Sequence, residues 1–291
     1  MKIIIAKDAG YCFGVRDAVN LAYNTAQHYG DVYMLGHIVH NENVVKDLDE
    51  AGAKVVRKLK DIPDEKPILF RAHGTAELVW DKARQKEMNI IDATCPLVKE
   101  IHGVVKSLEN EGRDIIIIGD HGHDEVIGIA SQVENPVIIA DPDEAMQLGK
   151  MKKAGVVSQS TQTIENVQEI INILMTKVFD LNFVNTICFP TKRNQQQLKD
   201  LSEKCDVMIV IGSFTSANSM RLTQLAKERN ERSHQVTCAQ DLDRNWFNDT
   251  DVVGISAGAS TPDNIIHEVT ERIKSFTKTI EEELIYEQRT I

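Results

Sequence analysis

Apolar positions along the chain follow two periods, and the two alternate. Val15, Ala18, Val19 and Ala22 keep the i, i+3, i+4, i+7 spacing of a helix with one buried stripe. Val98, Ile101 and Val105, with Leu108 just beyond, repeat it. Each pattern leads into a short unbroken apolar run, Val32–Leu35 in the first case and Ile115–Ile118 in the second. A third run, Met208–Ile211, follows the more polar stretch Thr191–Leu201, where the helical pattern is weaker. Apolar runs set between helical segments read as strands of parallel sheets buried on both faces. Further strands are predicted at Ile68–Arg71 before His73-Gly74, at Val156-Val157 before Ser158–Thr163, and at Val252–Ser256 before Gly258–Thr261.

These stretches are three copies of one unit, aligned without a gap. Cys12 is followed 24 residues later by Gly36, Cys95 by Gly119 and Cys188 by Gly212. Four residues past each glycine stand His40, His123 and Ser216; six past it stand Glu42, Glu125 and Asn218. Helical patterning then resumes with Val44, Val45 and Leu48, with Val126, Ile127 and Ala130, and with Leu222, Leu225 and Ala226. A period of about 90 residues is too long for a solenoid and suits three small α/β domains about a pseudo-threefold axis. The expected domains are 13–95, 96–188 and 189–276, with an N-terminal strand in 1–12 and a charged tail in 277–291. No Pro/Gly/Ser-rich linker separates them, so close packing is expected.

Composition narrows the function classes. Lys plus Arg number 33 against 44 Asp plus Glu, a net charge of −11, which repels a phosphate backbone and argues against nucleic acid. Aromatics at 5% cannot line a base-stacking platform. The longest apolar runs are far short of the about 20 residues of a membrane span, and Ile3–Ala6 is too short for a signal-peptide core. The reading is a cytoplasmic protein with no membrane partner, its five cysteines expected as thiols or metal ligands.

Cys12, Cys95 and Cys188 share the repeat register, each just before a helical segment, where negative charge is favoured. Three equivalent thiolates can converge on the axis. They suit either a zinc completed by a histidine or an iron–sulfur cubane with one iron left open. Nothing like Cys-x-x-Cys occurs, so the site is made by the tertiary fold, and spacing favours the cluster. Cys205 and Cys238 lie outside the register and read as small apolar residues. Donors at strand ends and helix starts (His40, His73, His123, Ser216, Asn218, Ser260) form a rim suited to an anion such as a diphosphate. No phosphate-binding P-loop and no convincing dinucleotide fingerprint is present. Glu125 and Glu42 are equivalent candidates for a proton carrier, and the repeat does not choose between them. Asp124 reads as a candidate N-cap.

The segments Gly10-Tyr11-Cys12-Phe13-Gly14-Val15, Val39-His40-Asn41, Ala72-His73-Gly74, Asp92-Ala93-Thr94-Cys95-Pro96, Gly122-His123 with Glu125-Val126, and Ala257-Gly258-Ala259-Ser260 together resemble the 4-hydroxy-3-methylbut-2-enyl diphosphate reductases. That family catalyses the last step of the methylerythritol phosphate route to isoprenoids. The resemblance runs from residue 3 to about 270. It implies an oxidoreductase with three α/β domains as a trefoil around a 4Fe-4S cluster held by Cys12, Cys95 and Cys188. His40, His73, His123, Ser216, Asn218 and Ser260 would bind the substrate diphosphate. Glu125 would relay protons, with Thr163 ordering the substrate hydroxyl. A ferredoxin or flavodoxin would donate electrons; Lys54, Arg57, Lys58 and Lys60, or Lys150, Lys152 and Lys153, are candidate docks. The chain departs from the pattern at Ala217, where serine is usual, at Asn194, where arginine is frequent, and at Asp124, where proline is frequent. An iron–sulfur redox sensor, or a hydrolase or transferase with a structural zinc, are the rival classes. The polar rim and the absence of a DNA-binding element weigh against the sensor.

Overall fold

The computed structural model describes residues 1–63 and 65–277, together with the backbone of Glu281–Glu283. In chain order the first elements are β1 (Lys2–Ile5), α1 (Phe13–Tyr29), β2 (Val32–Leu35), α2 (Glu42–Glu50), β3 (Ala53–Val56), β4 (Ile68–Phe70), α3 (Glu77–Gln85) and β5 (Ile90–Asp92). Next come α4 (Pro96–Asn110), β6 (Asp114–Ile118), α5 (Asp124–Ala130), β7 (Val137–Ile139), α6 (Pro142–Gln147), β8 (Met151–Ser158), α7 (Ile164–Leu174) and β9 (Val178–Phe183). The last are α8 (Phe189–Ser202), β10 (Val207–Ile211), α9 (Ala217–Lys227), β11 (Ser233–Val236), β12 (Val252–Ala257), α10 (Asp263–Lys274) and β13 (Glu281–Glu283).

The strands form three all-parallel sheets with one strand order: β3-β2-β4-β5, β7-β6-β8-β9 and β11-β10-β12-β1-β13. The fold is therefore three small α/β units, as the alternating periods predict. The fourth strand of the third sheet is β1, which pairs with β12 from Lys2↔Val252 to Ile5↔Ile255. The N-terminal strand thus completes the third repeat. Of the tail expected over 277–291, only Thr277 and the strand Glu281–Glu283 are described, the latter beside β1; the rest lies outside the described residues.

The chain divides into two compact units. One, Phe13–Val39 with Asn43–Cys188, carries the first two sheets. On β6, Ile115 and Ile117 pack with Ile101, Val105 and Leu108 of α4, while Ile116 and Ile118 pack with Ile170 and Leu174 of α7. Both faces of the strand are covered, so the run is apolar without alternation. The other unit, Met1–Cys12 with His40–Glu42 and Phe189 onward, is built the same way. Ile209 and Ile211 face Val269 and Ile273 of α10, while Met208 and Val210 face Leu198, Leu222 and Leu225 of α8 and α9. The weak pattern over 191–201 has a physical cause: Thr191, Asn194 and Gln195 of α8 are buried alongside Leu198 and Leu201, keeping helical spacing with polar side chains.

Candidate functional site

The three register cysteines occupy one topological place. Each follows the fourth strand of a sheet (β1, β5 or β9) and immediately precedes a helix (α1, α4 or α8). Each is pinned by its backbone N–H to a carbonyl just past the neighbouring strand: Cys12 to Ala259 O at 3.3 Å, Cys95 to Ala72 O at 2.9 Å and Cys188 to Ser160 O at 3.0 Å. All three residues are partly exposed, unlike Cys205, which is buried. Around Cys95 the backbone is cleared: a Cβ at Gly14 would overlap the Cys95 Sγ. Asp92 secures the loop before Cys95. Its carboxylate accepts the Thr94 N–H at 3.0 Å and pairs with Lys99 at 2.6 Å. Burial pushes its pKa up, but Lys99 and Thr94 outweigh burial and hold it below the ordinary value.

At the carboxyl end of β6, His123 is the N-cap of α5, its Nδ1 accepting the Glu125 N–H at 3.1 Å. In the neutral ring this leaves the hydrogen on Nε2. Glu125, only 2% exposed, turns its carboxylate to the loop after β8. Oε1 accepts the Ser160 N–H at 2.6 Å and Oε2 the Ser160 Oγ–H at 2.9 Å. Ser160 O in turn accepts the Cys188 N–H, so one residue ties the buried acid to a cysteine loop. Thr163, on the same loop, is the N-cap of α7, its Oγ1 accepting the Asn166 N–H at 3.2 Å. The hydroxyl that the fold sets on Glu125 belongs to Ser160, which sequence reasoning missed. The available signal was distance from the strand, since Ser160 is the first hydroxyl beyond Ser158, the last residue of β8. Glu42, equivalent to Glu125 by repeat, is exposed and accepts from Ser213 Oγ at 2.7 Å and Thr215 Oγ1 at 3.1 Å.

In the same unit as Glu42, Ser216 caps α9, its Oγ accepting the Ser219 N–H at 3.3 Å. Ser260 Oγ donates to His40 O at 3.1 Å. Asn218 is 5% exposed, and its Oδ1 and Nδ2 are both buried without a hydrogen-bond partner among the described residues. Leaving a buried polar group unmatched costs about 1–3 kcal/mol, so this amide is poised for a ligand with donors or acceptors of its own.

In the other unit, His73 ends the segment after β4 and is 8% exposed. Gly74 follows with φ of +89°, and a Cβ there would meet His102 Cε1 at 3.2 Å, so the turn after His73 needs glycine. Burial, then Lys106, lowers the His102 pKa, disfavouring the charged ring. His73 and His123 lie with ring centroids 6.3 Å apart. Asp124 is the first residue of α5 rather than its cap. Its Oδ2 lies 3.4 Å from His73 Nε2 and 2.6 Å from Arg71 Nη1. His73, followed by the Arg71 charge, holds its carboxyl well below the usual range against a burial that raises it.

A family profile described as LytB protein matches residues 3–274. The chain belongs to the LytB protein family. Among curated relatives of this LytB chain, a protein from Geotalea daltonii is 42% identical over 279 residues, covering 96% of this chain and 99% of its own. One from Geobacter sulfurreducens is 39% identical over 277 residues, covering 95% and 98%. Both are named 4-hydroxy-3-methylbut-2-enyl diphosphate reductase. A solved structure of the E-1-hydroxy-2-methyl-but-2-enyl-4-diphosphate reductase from Plasmodium falciparum is similar with a TM-score of 0.91 and 28% identity, over 99% of this chain and 93% of that one. A second, described as the terminal enzyme of the non-mevalonate pathway, is 35% identical with a TM-score of 0.69, over 94% and 99%.

Two departures of this LytB chain find their structural terms. Asn194, 3% exposed, donates from Nδ2 to Ala257 O at 2.9 Å and accepts from Ser256 Oγ at 3.2 Å. A neutral amide thus clamps the end of β12, with no ion pair to compensate. Ala217, buried as the first residue of α9, adds no hydroxyl beside Ser216.

Proposed function

We propose that this protein is a 4-hydroxy-3-methylbut-2-enyl diphosphate reductase that removes the substrate hydroxyl reductively, giving isopentenyl and dimethylallyl diphosphates. Overall, two electrons and two protons enter, a C–O bond breaks, a C–H bond forms and water leaves. Family membership supports the activity, and one observation carries it to the residues: a buried acid bonded twice to Ser160, whose carbonyl holds the Cys188 loop.

Cys12, Cys95 and Cys188 would hold a 4Fe-4S cluster. The fit rests on three partly exposed thiols in one backbone setting and on the space that Gly14 leaves at the Cys95 sulfur. Such a cluster would supply single electrons and an open iron acting as Lewis acid on the departing hydroxyl. Glu125 carries the proton. Its Oε1 keeps the fixed Ser160 N–H whichever state the acid is in, while the Ser160 hydroxyl can reverse, donating to a carboxylate Oε2 or accepting from a protonated one. Thr163 would help order the substrate hydroxyl, its Oγ1 accepting the Asn166 N–H while its own hydrogen stays available to a ligand, and Ser160 joins it as the hydroxyl bonded to the acid. His40, His73, His123, Ser216, Asn218 and Ser260 would bind the diphosphate, the orphaned amide of Asn218 being matched by phosphate oxygen and by a donor on the ligand or its water. Anchoring the diphosphate fixes the carbon chain relative to Glu125, a positioning effect.

The proposal includes three domains at 13–95, 96–188 and 189–276, a cytoplasmic location, and a ferredoxin or flavodoxin as electron donor. Among the described residues no helix is long and apolar enough to cross a membrane. Of the candidate docking lysines, Lys54 is paired with Asp31 at 3.0 Å and Lys153 donates to Glu111 O at 2.6 Å. The test is anaerobic: protein, reduced viologen dye and the hydroxylated diphosphate are mixed, and dye oxidation and five-carbon products followed. Turnover that vanishes in Cys95→Ser supports the reading. No turnover from protein with a full, reducible cluster overturns it.

A further inference from the structure

Arg71 and Asp124 have no part in the reading above, yet they meet on His73. Asp124 opens α5, and a carboxylate at a helix start ordinarily faces the free N–H groups of its own helix. Here it reaches across to the end of β4 instead, with Oδ2 2.6 Å from Arg71 Nη1 and 3.4 Å from His73 Nε2. The arrangement is sheltered, with the Arg71 side chain 17% exposed, that of His73 10% and that of Asp124 33%. Arg71 packs in turn over Gly36, where a Cβ would meet its Nη1 at 2.9 Å. The guanidinium therefore has a defined seat from which to hold the carboxylate.

A lone carboxylate beside a phosphate-binding histidine would repel the phosphate. Paired with Arg71 it contributes no net charge, and what remains is orientation. An imidazole nitrogen facing a carboxylate carries a hydrogen, which fixes the tautomer and the rotation of the ring. A carboxylate behind a ligand-binding histidine is a recurrent device for this purpose. We propose that Asp124, anchored by Arg71, is a positioning residue that fixes the His73 imidazole for the substrate diphosphate. Among the described residues, His123 also lies across a ring contact from His73, and His102 packs behind Gly74.

The inference rests on the proposed diphosphate chemistry, and the experiment separates the two. Asp124→Asn removes the charge. Asp124→Pro removes the side chain at a first helical position, where proline is well accepted and no intrahelical N–H is needed. In holoenzyme of native iron content, each should raise KM for the hydroxylated diphosphate about three- to ten-fold, the range for one charge-assisted contact weakened by partial exposure. The kcat at saturation should stay within about two-fold, because uniform binding is what is lost. In a His73→Gln background, Asp124→Asn should change KM by less than about two-fold. A merely structural role for Asp124 would carry its full effect into that background, and this result would overturn the proposal. So would an unchanged KM in both single variants of an active enzyme. A wild-type holoenzyme without turnover would instead remove the reductase reading and this inference with it.

Discussion

Ser160→Ala isolates the contact on which the proposed proton path depends. Glu125 takes two bonds from this residue, the N–H at 2.6 Å and the Oγ–H at 2.9 Å. Alanine keeps the first and deletes the second, so the acid stays in place with one oxygen released. A hydrogen bond to a buried charged group is worth about 1.5–3 kcal/mol, and at about 1.4 kcal/mol per decade its loss should lower kcat about 10- to 100-fold. The Cys188 N–H to Ser160 O bond is backbone and survives, so iron content and visible spectrum should match wild type. Glu125→Gln should lose most turnover, also with an intact spectrum, because it removes the acid itself. Thr163→Val deletes an N-cap, costing about 1 kcal/mol of stability and about 2 °C in Tm for a chain of this size, and it also removes the hydroxyl proposed to order the substrate, so its kcat should fall as well. The assay is anaerobic dye oxidation normalised to iron. Wild-type kcat in a stable, iron-replete Ser160→Ala would refute the assignment of Ser160.

Burial, followed by Asp206, pushes the Cys205 thiol up to about 12, so at neutral pH it should resist alkylation in the native protein and react only on unfolding; mass mapping after iodoacetamide checks this. For Asp92 the folded pKa is lowered, so its contribution to stability is present above the unfolded carboxyl value of about 3.9 and is lost as pH falls through the folded value. Asp92→Asn should therefore melt below wild type at neutral pH, with the gap closing in acid; a gap that widens as pH falls would contradict the sign. Gly14→Ala places a methyl group against the Cys95 sulfur, whereas helix propensity alone would favour alanine by about 1 kcal/mol. Iron per chain should fall in this variant, and full iron loading would show that the close approach has no bearing on the metal.

The long-period features were legible in the chain, and the reason is burial on both faces. Ile115–Ile118 and Met208–Ile211 lie within strands covered front and back, so their apolarity is continuous and visible. Edge and end strands were not seen, because β3, β7 and β11 are short, their buried positions broken up by half-buried or exposed ones, and carry no period of their own. The strand at Val156-Val157 extends back to Met151 through Lys152 and Lys153, whose charges hid its first half. Cysteine spacing placed all three thiols at one topological position, since spacing in a repeat is topology. What spacing could not supply was side-chain direction. Thr163 and Ser160 lie three residues apart on one loop, and only the turn after β8 decides that one caps a helix while the other meets Glu125. Asp124 likewise looked like a cap, and its pairing with Arg71 depends on how α5, which follows β6, meets the segment after β4.

The repeat also explains why a threefold design must be broken to work. Equivalent backbone settings are what three thiols need, and the three cysteine N–H bonds are near copies. Proton delivery to one oxygen needs the opposite, a single acid in a single place. The sixth residue after each repeat glycine shows the divergence. Glu42 remains exposed under two hydroxyls, Glu125 is buried under Ser160, and Asn218 is a buried neutral amide without a partner among the described residues. Burial separates the two acids: Glu42 is open to water, while the buried Glu125, in the proposed role, would pass a proton only to what binds beside it. An amide in the third copy avoids a second buried negative charge where a diphosphate would bind. One scaffold thus carries a buried acid, an exposed acid and a buried amide at the same repeat position, the divergence that the proposed division of labour requires.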